Sequence, residues 1–266
     1  MDTQEPGTIP HPYWLIDNNS AEFVDASLIE ETLVSIYVNG QELATIMCSP
    51  MDQEALALGF LHNEGVIKSV DEVGLIRANT PRTTVDVFLT HTEYEQPRRM
   101  ILTSGCGGGI TLQFLTESYP ALESGFQTTP DVLTKQMQAL KGAARLYNQV
   151  RGVHTSILCT EEKLLVAAED VGRHNTIDKI AGKALQLGLK MCDCILLTSG
   201  RVSSEMLSKA RQMNVPLVAS RTSPTSIAVR LADAWNICLV GYVRRKSMRA
   251  YTHPERLGLT QDTYDD

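Results

Sequence analysis

The chain has 266 residues and a hydrophobic content of 43%, enough to bury one large core or two modest ones. Its formal net charge of −7 argues against a surface that coats nucleic acid. No stretch approaches the roughly 18 apolar residues of a membrane helix, and the first residues lack the basic start and apolar run of a secretory signal. We therefore expect a soluble, cytoplasmic protein that binds neither nucleic acid nor membranes.

The first half of the chain predicts a small, β-rich α+β unit. Two runs of β-forming residues flank Asn39-Gly40, a dipeptide typical of a β-hairpin. The predicted elements are this hairpin over 32–47, a helix from Ser49 or Asp52 to Gly65, strands at 73–78 and 83–90, and a helix over 128–150 capped by Thr129 or Asp131. We place this unit at residues 1–130.

Strands and helices alternate from Gly152 onwards, which indicates a mixed, mostly parallel sheet covered by helices. The predicted strands are 153–159, 163–168, 194–198, 217–219 and 237–243, and the predicted helices are 175–187, 203–213 and 224–235. The expected fold is therefore α/β, with this domain at residues 131–266. One continuous domain is the alternative. In such sheets, ligands bind beyond the carboxyl ends of the strands.

Polar clusters follow three of the predicted strands. The first, EDVGRHN at 169–175, carries two carboxylates, an arginine and a histidine directly before a helix. The other two, TSGRVSSEM at 198–206 and ASRTSPTS at 219–226, place glycine or serine beside an arginine where a helix opens. Backbone N–H groups and a guanidinium suit a phosphate. Two such junctions in succession predict a ligand that carries phosphate.

Charge is distributed unevenly along the chain. Residues 201–256 contain ten Lys or Arg and three Asp or Glu, so this segment carries +7 and the remainder carries −14. The segment includes the second and third polar clusters. We expect it to hold an anion; the alternative is an ordinary solvated basic face.

One cysteine lies in an unusual setting. In the run TSGCGGG, Cys106 stands among four glycines, which indicates an exposed loop thiol and not a core residue. Cys159, Cys194 and Cys238 fall in apolar, strand-like runs and are predicted to be core. Cys192 and Cys194 form a CxC motif with no second pair or nearby histidine, so we predict no metal site.

Three motifs of this chain are EDVGRHNTIDKIAG, LLTSGRVSSEMLSKARQMNVPLVASRTSPTSIAV and EALALGFLHNEGVI. They resemble the FdhD family, the formate dehydrogenase accessory sulfurtransferases. The resemblance extends over about residues 32–257. The resemblance implies a cytidine-deaminase-like three-layer fold and a homodimer. It also implies that a cysteine desulfurase supplies sulfur as a persulfide. The sulfur then passes to molybdenum bis(molybdopterin guanine dinucleotide), before that cofactor enters apo formate dehydrogenase.

The resemblance also implies roles for individual residues, with Cys106 as the sulfur carrier. The family's contacts with the guanine dinucleotide fall here on the turn of Tyr242, Val243, Arg244, Arg245, Lys246 and Ser247. From the polar clusters we add Gly200, Arg201, Ser220, Arg221, Thr222, Ser223 and His174 as candidate cofactor-binding residues. GDP is the expected surrogate ligand. Zinc is not expected, because the H-x-E and P-C-x-x-C signature of zinc deaminases is absent.

This chain departs from the family pattern at one position. The family loop usually contains a CxxC pair, whereas Gly109 occupies the second cysteine position here. A disulfide within that pair is therefore excluded, but a persulfide relay requires only one thiolate. Two alternatives stay open: a cofactor-binding chaperone without sulfur transfer of its own, and a thiol-dependent redox enzyme that pairs Cys106 with a more distant cysteine.

Overall fold

The structure, a computed structural model, describes residues 6–94 and 119–259. Its strands are β1 (Thr8–Pro10), β2 (Tyr13–Ile16), β3 (Ala21–Val24), β4 (Ser27–Ile29), β5 (Thr32–Val38), β6 (Gln41–Cys48), β7 (Val73–Ala78), β8 (Thr84–Leu89), β9 (His154–Cys159), β10 (Leu164–Asp170), β11 (Ile195–Thr198), β12 (Leu217–Ser220), β13 (Cys238–Gly241) and β14 (Arg249–Thr252). Its α-helices are α1 (Gln53–Asn63), α2 (Pro130–Ala143), α3 (Arg145–Val150), α4 (Arg173–Gln186), α5 (Ser204–Gln212) and α6 (Ser226–Ala234).

The N-terminal part of the chain contains a four-stranded sheet in the order β6-β5-β8-β7. Strands β5 and β6 meet at Asn39 and Gly40, whose φ angles of 50° and 82° suit a tight hairpin turn. Alternate residues of β5, namely Val34, Ile36 and Val38, are fully buried in a core shared with α1. The predicted hairpin, helix and two strands of this region are confirmed.

The second half of the chain forms a six-stranded sheet in the order β10-β9-β11-β12-β13-β14. The sheet is mixed, as predicted, but only β11-β12 and β12-β13 are parallel among these strands. The expectation of a mostly parallel sheet was therefore wrong. Two of the three antiparallel pairs, β9-β10 and β13-β14, have connections too short for a crossover, and short connections can form only antiparallel pairs.

Helices cover both faces of this sheet. In β11, Leu196 belongs to the core formed with α4, α5 and α6, whereas Ile195 and Leu197 belong to the core formed with α2. Strands β12 and β13 alternate in the same way. The central strands are thus buried on both sides, which explains why their sequences are almost continuously apolar. The result is a three-layer α/β arrangement.

Some boundaries differ from the predicted ones. The helix predicted over 128–150 is two helices, because Ala144 leaves the helical region with a ψ of 64°. Pro224 forms an isolated bridge with Val202, and α6 begins at Ser226 behind the N-cap Thr225. Strands β1 to β4 and β14 have no counterpart among the elements predicted from the sequence.

Helices α1 and α4 cross in backbone contact and join the two sheets. A Cβ added at Gly59 would lie 1.8 Å from the carbonyl oxygen of Asp178, and one added at Gly182 would lie 1.9 Å from that of Ala55. Only glycine at both positions allows this separation. The predicted division of the chain near residue 130 stays a prediction.

Replacing Gly182 with alanine is expected to destabilise the protein by about 3 kcal/mol, because the helices must separate to admit the new methyl group. Gly142→Ala is the matched control: this glycine is exposed in α2, and no atom lies within 4 Å of an added Cβ. That variant should gain about 0.5–1 kcal/mol from helix propensity. Urea unfolding measures both effects. Equal free energies of unfolding for the Gly182→Ala variant and the parent protein would contradict the close contact between α1 and α4.

Candidate functional site

The polar clusters predicted from the sequence converge where the strands of the six-stranded sheet end. We call this boundary, formed by the strand ends, the edge of the sheet. Thr198, Ser220 and Gly241 end three strands that run parallel to one another. His154 begins β9, which runs the opposite way, and it pairs with Asp170 at the end of β10. Five chain segments that are distant in sequence therefore place side chains at the same edge.

A buried ion pair shapes the first cluster. The Asp170 carboxylate lies 2.6 Å from the Nζ atom of Lys179, and neither side chain is exposed. The same carboxylate accepts N–H groups from Gly172 at 2.8 Å and Ser49 at 3.1 Å, and the amide of Asn175 at 2.8 Å. All of this bonding lies within the protein, so Asp170 and Asn175 hold the turn that begins α4.

The other carboxylate of this cluster is also used internally. Glu169 accepts the N–H groups of Leu146 and Tyr147, at 2.8 and 3.0 Å, and the hydroxyl of Thr155 at 3.2 Å. It thereby caps α3, a helix start that has no side-chain cap of its own. Of the ionisable side chains in residues 169–175, only those of Arg173 and His174 are then available to a ligand.

Gly200 lets the first two clusters approach each other. An added Cβ there would lie 3.1 Å from the Cβ of Arg173 and 3.2 Å from Nδ1 of His154. The Nε atom of Arg173 is buried and has no hydrogen-bond partner among the described residues. Within the described ranges, no carboxylate lies within 4.0 Å of Arg173, Arg201 or Arg221. These three guanidinium groups are suited to an anionic ligand.

His174 faces the second cluster across this edge. Its Nε2 atom lies 3.1 Å from the Ser203 hydroxyl and 3.1 Å from the Glu205 carboxylate. Burial, followed by the charge of Arg173, lowers its pKa to about 4, so the imidazole is neutral at neutral pH. Burial and Arg173 also lower the pKa of His154. Neither partner of His174 was predicted as a site residue, although both lie in the run TSGRVSSEM.

Ser220 ties the second junction to the third. Its hydroxyl donates to the Gly200 carbonyl at 2.7 Å and accepts the N–H of Thr222 at 2.9 Å. The side chain is fully buried, so it holds the two turns together. Thr222, Ser223 and the Arg221 side chain are half-buried beside it.

The predicted turn of residues 242–247 packs directly on the third junction. The Tyr242 N–H donates to the Thr222 carbonyl at 3.1 Å, and that of buried Val243 donates to the Ser220 carbonyl at 3.0 Å. The Arg249 guanidinium covers one face of the Tyr242 ring, 4.4 Å from its centroid. The remaining members of the turn are exposed, namely Arg244, Arg245, Lys246 and Ser247. The structure thus brings all the predicted cofactor-binding residues into one region.

The cysteines divide as the sequence predicts where the structure describes them. Cys159, Cys194 and Cys238 are buried, which confirms their assignment to the core, and burial raises the pKa of Cys159 and Cys238 to about 12. Cys192 is exposed. Cys106 lies outside the described residues. Across residues 6–94 and 119–259, no three Cys, His, Asp or Glu side chains gather in a group that could hold a metal ion.

The fold and this edge define the class: an α/β protein with a cationic, helix-lined site at the ends of its strands. The chain belongs to the FdhD/NarQ family, whose profile matches residues 29–258. It is 32% identical to the sulfur carrier protein FdhD of Bacillus subtilis over 249 residues, covering 92% of this chain and 95% of that protein. The FdhD of Bacillus pumilus is 35% identical over 235 residues, covering 86% and 90%.

A solved structure shares the whole fold. The crystal structure of a proposed formate dehydrogenase accessory protein from Desulfotalea psychrophila superposes with a TM-score of 0.79 and 26% identity, covering 95% of this chain and all of that one. Separately, none of the described helices has the length and apolar character needed to cross a membrane.

His174 is expected to titrate near pH 4 in an NMR titration of the imidazole signals. Because its folded pKa lies below the usual 6.5, the folded protein binds fewer protons than the unfolded chain between these values. Its contribution to stability is therefore complete above about pH 6.5 and is lost as the pH falls towards 4. His174→Gln should flatten this part of the stability curve. A midpoint above pH 6 would show that the Glu205 carboxylate decides its protonation.

Proposed function

We propose that this protein is a sulfurtransferase that takes persulfide sulfur from a cysteine desulfurase and passes it to molybdenum bis(molybdopterin guanine dinucleotide). Membership of the FdhD/NarQ family and relatives named sulfur carrier proteins support this function. The observation that carries the cofactor assignment is the set of guanidinium groups at one sheet edge with no carboxylate partner among the described residues. Such a set suits the pyrophosphate groups of a dinucleotide.

The residues at this edge have distinct roles in the proposal. Arg201 and Arg221 bind phosphate oxygens, and the exposed turn from Arg244 to Ser247 binds the guanine nucleotide end. Neutral His174 adds a hydrogen-bonding group without a further positive charge. Ser220 and Val243 are buried and hold these turns in place before the ligand arrives, which reduces the entropy lost on binding.

Cys106 performs the sulfur step. Its thiolate attacks the outer sulfur of the donor's persulfide, a new S–S bond forms at Cys106, and the donor cysteine leaves as a thiolate. The exchange needs no external oxidant, because one S–S bond replaces another. The reaction requires one thiolate on this chain, so Gly109 in the second cysteine position is compatible with it.

The chaperone remains the second candidate, and Gly109 is the observation that favours it, since the family's usual cysteine pair is incomplete. A cofactor-binding chaperone would share the cationic edge but not the persulfide.

The finer fold assignment, cytidine-deaminase-like, is also part of the proposal and is supported by the helix layers on both faces of the sheet. The cytoplasmic location and apo formate dehydrogenase as recipient complete it.

Incubation with a cysteine desulfurase and cysteine is expected to add one sulfur atom to the protein, removable by a thiol reductant. Cys106→Ala should gain no sulfur, because it lacks the attacking thiolate. Cys192→Ala is the matched control, since Cys192 is the exposed cysteine of the described residues, and it should gain the same mass as the parent. Intact-protein mass spectrometry measures the added mass on the parent protein and on both variants. Sulfur on the Cys106→Ala protein would refute the relay, and none on the parent would favour the chaperone.

GDP is expected to bind more tightly than guanosine, and its affinity should fall as salt rises, because exposed charges are screened. Arg221→Ala should weaken GDP binding by roughly ten- to a hundredfold, the value of a charge-assisted hydrogen-bonded contact, and should change guanosine little. Arg201→Ala should act in the same direction.

The matched control for this titration is Arg230→Ala, which removes an exposed arginine of α6 outside the proposed contacts. Its GDP affinity should stay within about twofold of the parent value. Calorimetric titration measures each affinity. Equal affinity for GDP and guanosine, or an unchanged Arg221→Ala protein, would place the cofactor elsewhere.

A further inference from the structure

His174, in the first turn of α4, lies against the start of α5. Its Nε2 atom is 3.1 Å from the Ser203 hydroxyl and 3.1 Å from a carboxylate oxygen of Glu205. Ser203 is the N-cap of α5, and its hydroxyl oxygen accepts the N–H of Met206. Glu205 lies in the first turn of the same helix, where the helix dipole favours a negative charge. Helix α5 therefore holds both neighbours of the ring in place.

Glu205 determines which nitrogen of the His174 ring carries the proton. An ionised carboxylate can only accept a hydrogen bond. An unprotonated Nε2 atom would place its electron pair 3.1 Å from this oxygen, and the two would repel each other. The ring is neutral and has one N–H group, because burial, followed by the charge of Arg173, lowers its pKa. The proton therefore lies on Nε2, and Nδ1 keeps an unshared electron pair.

This Nδ1 atom is an acceptor that the described part of the chain leaves unused. The hydrogen bond and the ion pair that His174 makes with described residues both use Nε2. Its side chain is 28% exposed, so a bound ligand can reach the ring. The groups that lower its pKa are Arg173, Lys209, His154 and Arg201. The arginines and the lysine among them supply hydrogen-bond donors, whereas Nδ1 of His174 supplies an acceptor.

A phosphate group cannot use this acceptor. Nucleotide phosphates are ionised, and they accept hydrogen bonds from guanidinium groups. The electron pair of Nδ1 would repel their oxygen atoms. His174 therefore suits a part of the ligand that carries an N–H donor. Guanine and pterin share such a part, because both contain a 2-amino-4-oxopyrimidine ring with N–H groups along one edge.

We propose that Glu205 is a positioning residue that holds His174 as its Nε2–H tautomer, and that Nδ1 of His174 accepts an N–H group of a 2-amino-4-oxopyrimidine ring. The arginines then bind phosphate oxygens, while His174 recognises the heterocycle. The choice of ring rests on the proposed function, because the proposed cofactor contains both guanine and pterin. The tautomer does not depend on the proposed function.

Nitrogen NMR of the imidazole signals at neutral pH tests the tautomer in the ligand-free protein. The hydrogen should lie on Nε2 of His174. Glu205→Gln should add a population with the hydrogen on Nδ1, because an amide can donate as well as accept. Glu162→Gln is the matched control, since exposed Glu162 lies between β9 and β10, at the opposite end of these strands from His154. It should leave the tautomer unchanged.

Calorimetric titration with GDP, ADP and 6-carboxypterin tests the contact with the ligand. His174→Phe removes the acceptor and should weaken binding of the recognised heterocycle by about tenfold, the value of one hydrogen bond. A loss for GDP assigns guanine, and a loss for 6-carboxypterin assigns pterin. Affinity for ADP should stay unchanged, because adenine lacks this ring. His174→Asn keeps an acceptor, the amide oxygen, near the position of Nδ1 and should recover most of the affinity.

Three results would overturn the proposal. A parent protein with the hydrogen on Nδ1 would remove the role of Glu205. Unchanged affinity of the His174→Phe protein for both GDP and 6-carboxypterin would remove the contact, as would an equal loss for ADP, which indicates a structural effect. In these cases, GDP binding that still depends on Arg221 would leave the proposed cofactor site intact. A parent that binds neither compound would refute the contact and the cofactor assignment together, while persulfide formation at Cys106 is measured separately.

Discussion

The pairing of Asp170 with Lys179 is the interaction on which the rest of the structure depends. Two opposite charges lie 2.6 Å apart with neither side chain in contact with water. Lys179 also donates to the carbonyl oxygens of Ser49 and Glu169, at 3.3 Å each. The pair therefore joins the end of β6, the end of β10 and the body of α4. Loss of either partner would leave an uncompensated buried charge, which is strongly destabilising.

A second buried network lies behind the first and holds α5. Lys209 bonds both carboxylate oxygens of Asp178 in α4, at 2.8 and 2.9 Å, and the carboxylate of Glu64 after α1 at 3.4 Å. The amide of Asn63 donates to the same Asp178 at 2.8 Å. Since α5 begins with the partners of His174, this network fixes their position. The charge of Lys209 also helps to lower the pKa of His174, so the scaffold influences the electrostatics of the site.

These arrangements divide the polar residues into two groups with different roles. One group, including Asp170, Glu169 and Ser220, makes all its bonds inside the protein and determines the shape of the turns. The other group, including Arg201 and Arg221, has no carboxylate partner within the described ranges and faces outward. A rigid frame that presents unpaired cations is preorganised for an anion, because little conformational freedom is lost when the ligand binds. The hydrogen bond from Ser220 to the Gly200 carbonyl joins the two turns that carry Arg201 and Arg221.

Local patterns in the sequence determined much of this protein. The hairpin at Asn39-Gly40, the alternation of strand and helix after Gly152, the core cysteines and the arginine-bearing junctions are all properties of short segments, and the structure contains each of them. The resemblance of several motifs to the FdhD family is likewise confirmed by the profile match. Such features depend on neighbouring residues only, so periodicity and turn chemistry are sufficient to find them.

Other features were decided by the tertiary structure alone. The partner of Asp170 lies in the middle of α4, and the glycines that let α1 meet α4 are 123 positions apart, so no local pattern marks either contact. The antiparallel majority of sheet pairings depends on which strands become neighbours after folding. Strands β2 and β3 were not predicted because their apolar residues are exposed on both faces, so their sequences lack the alternation of a strand with one buried face.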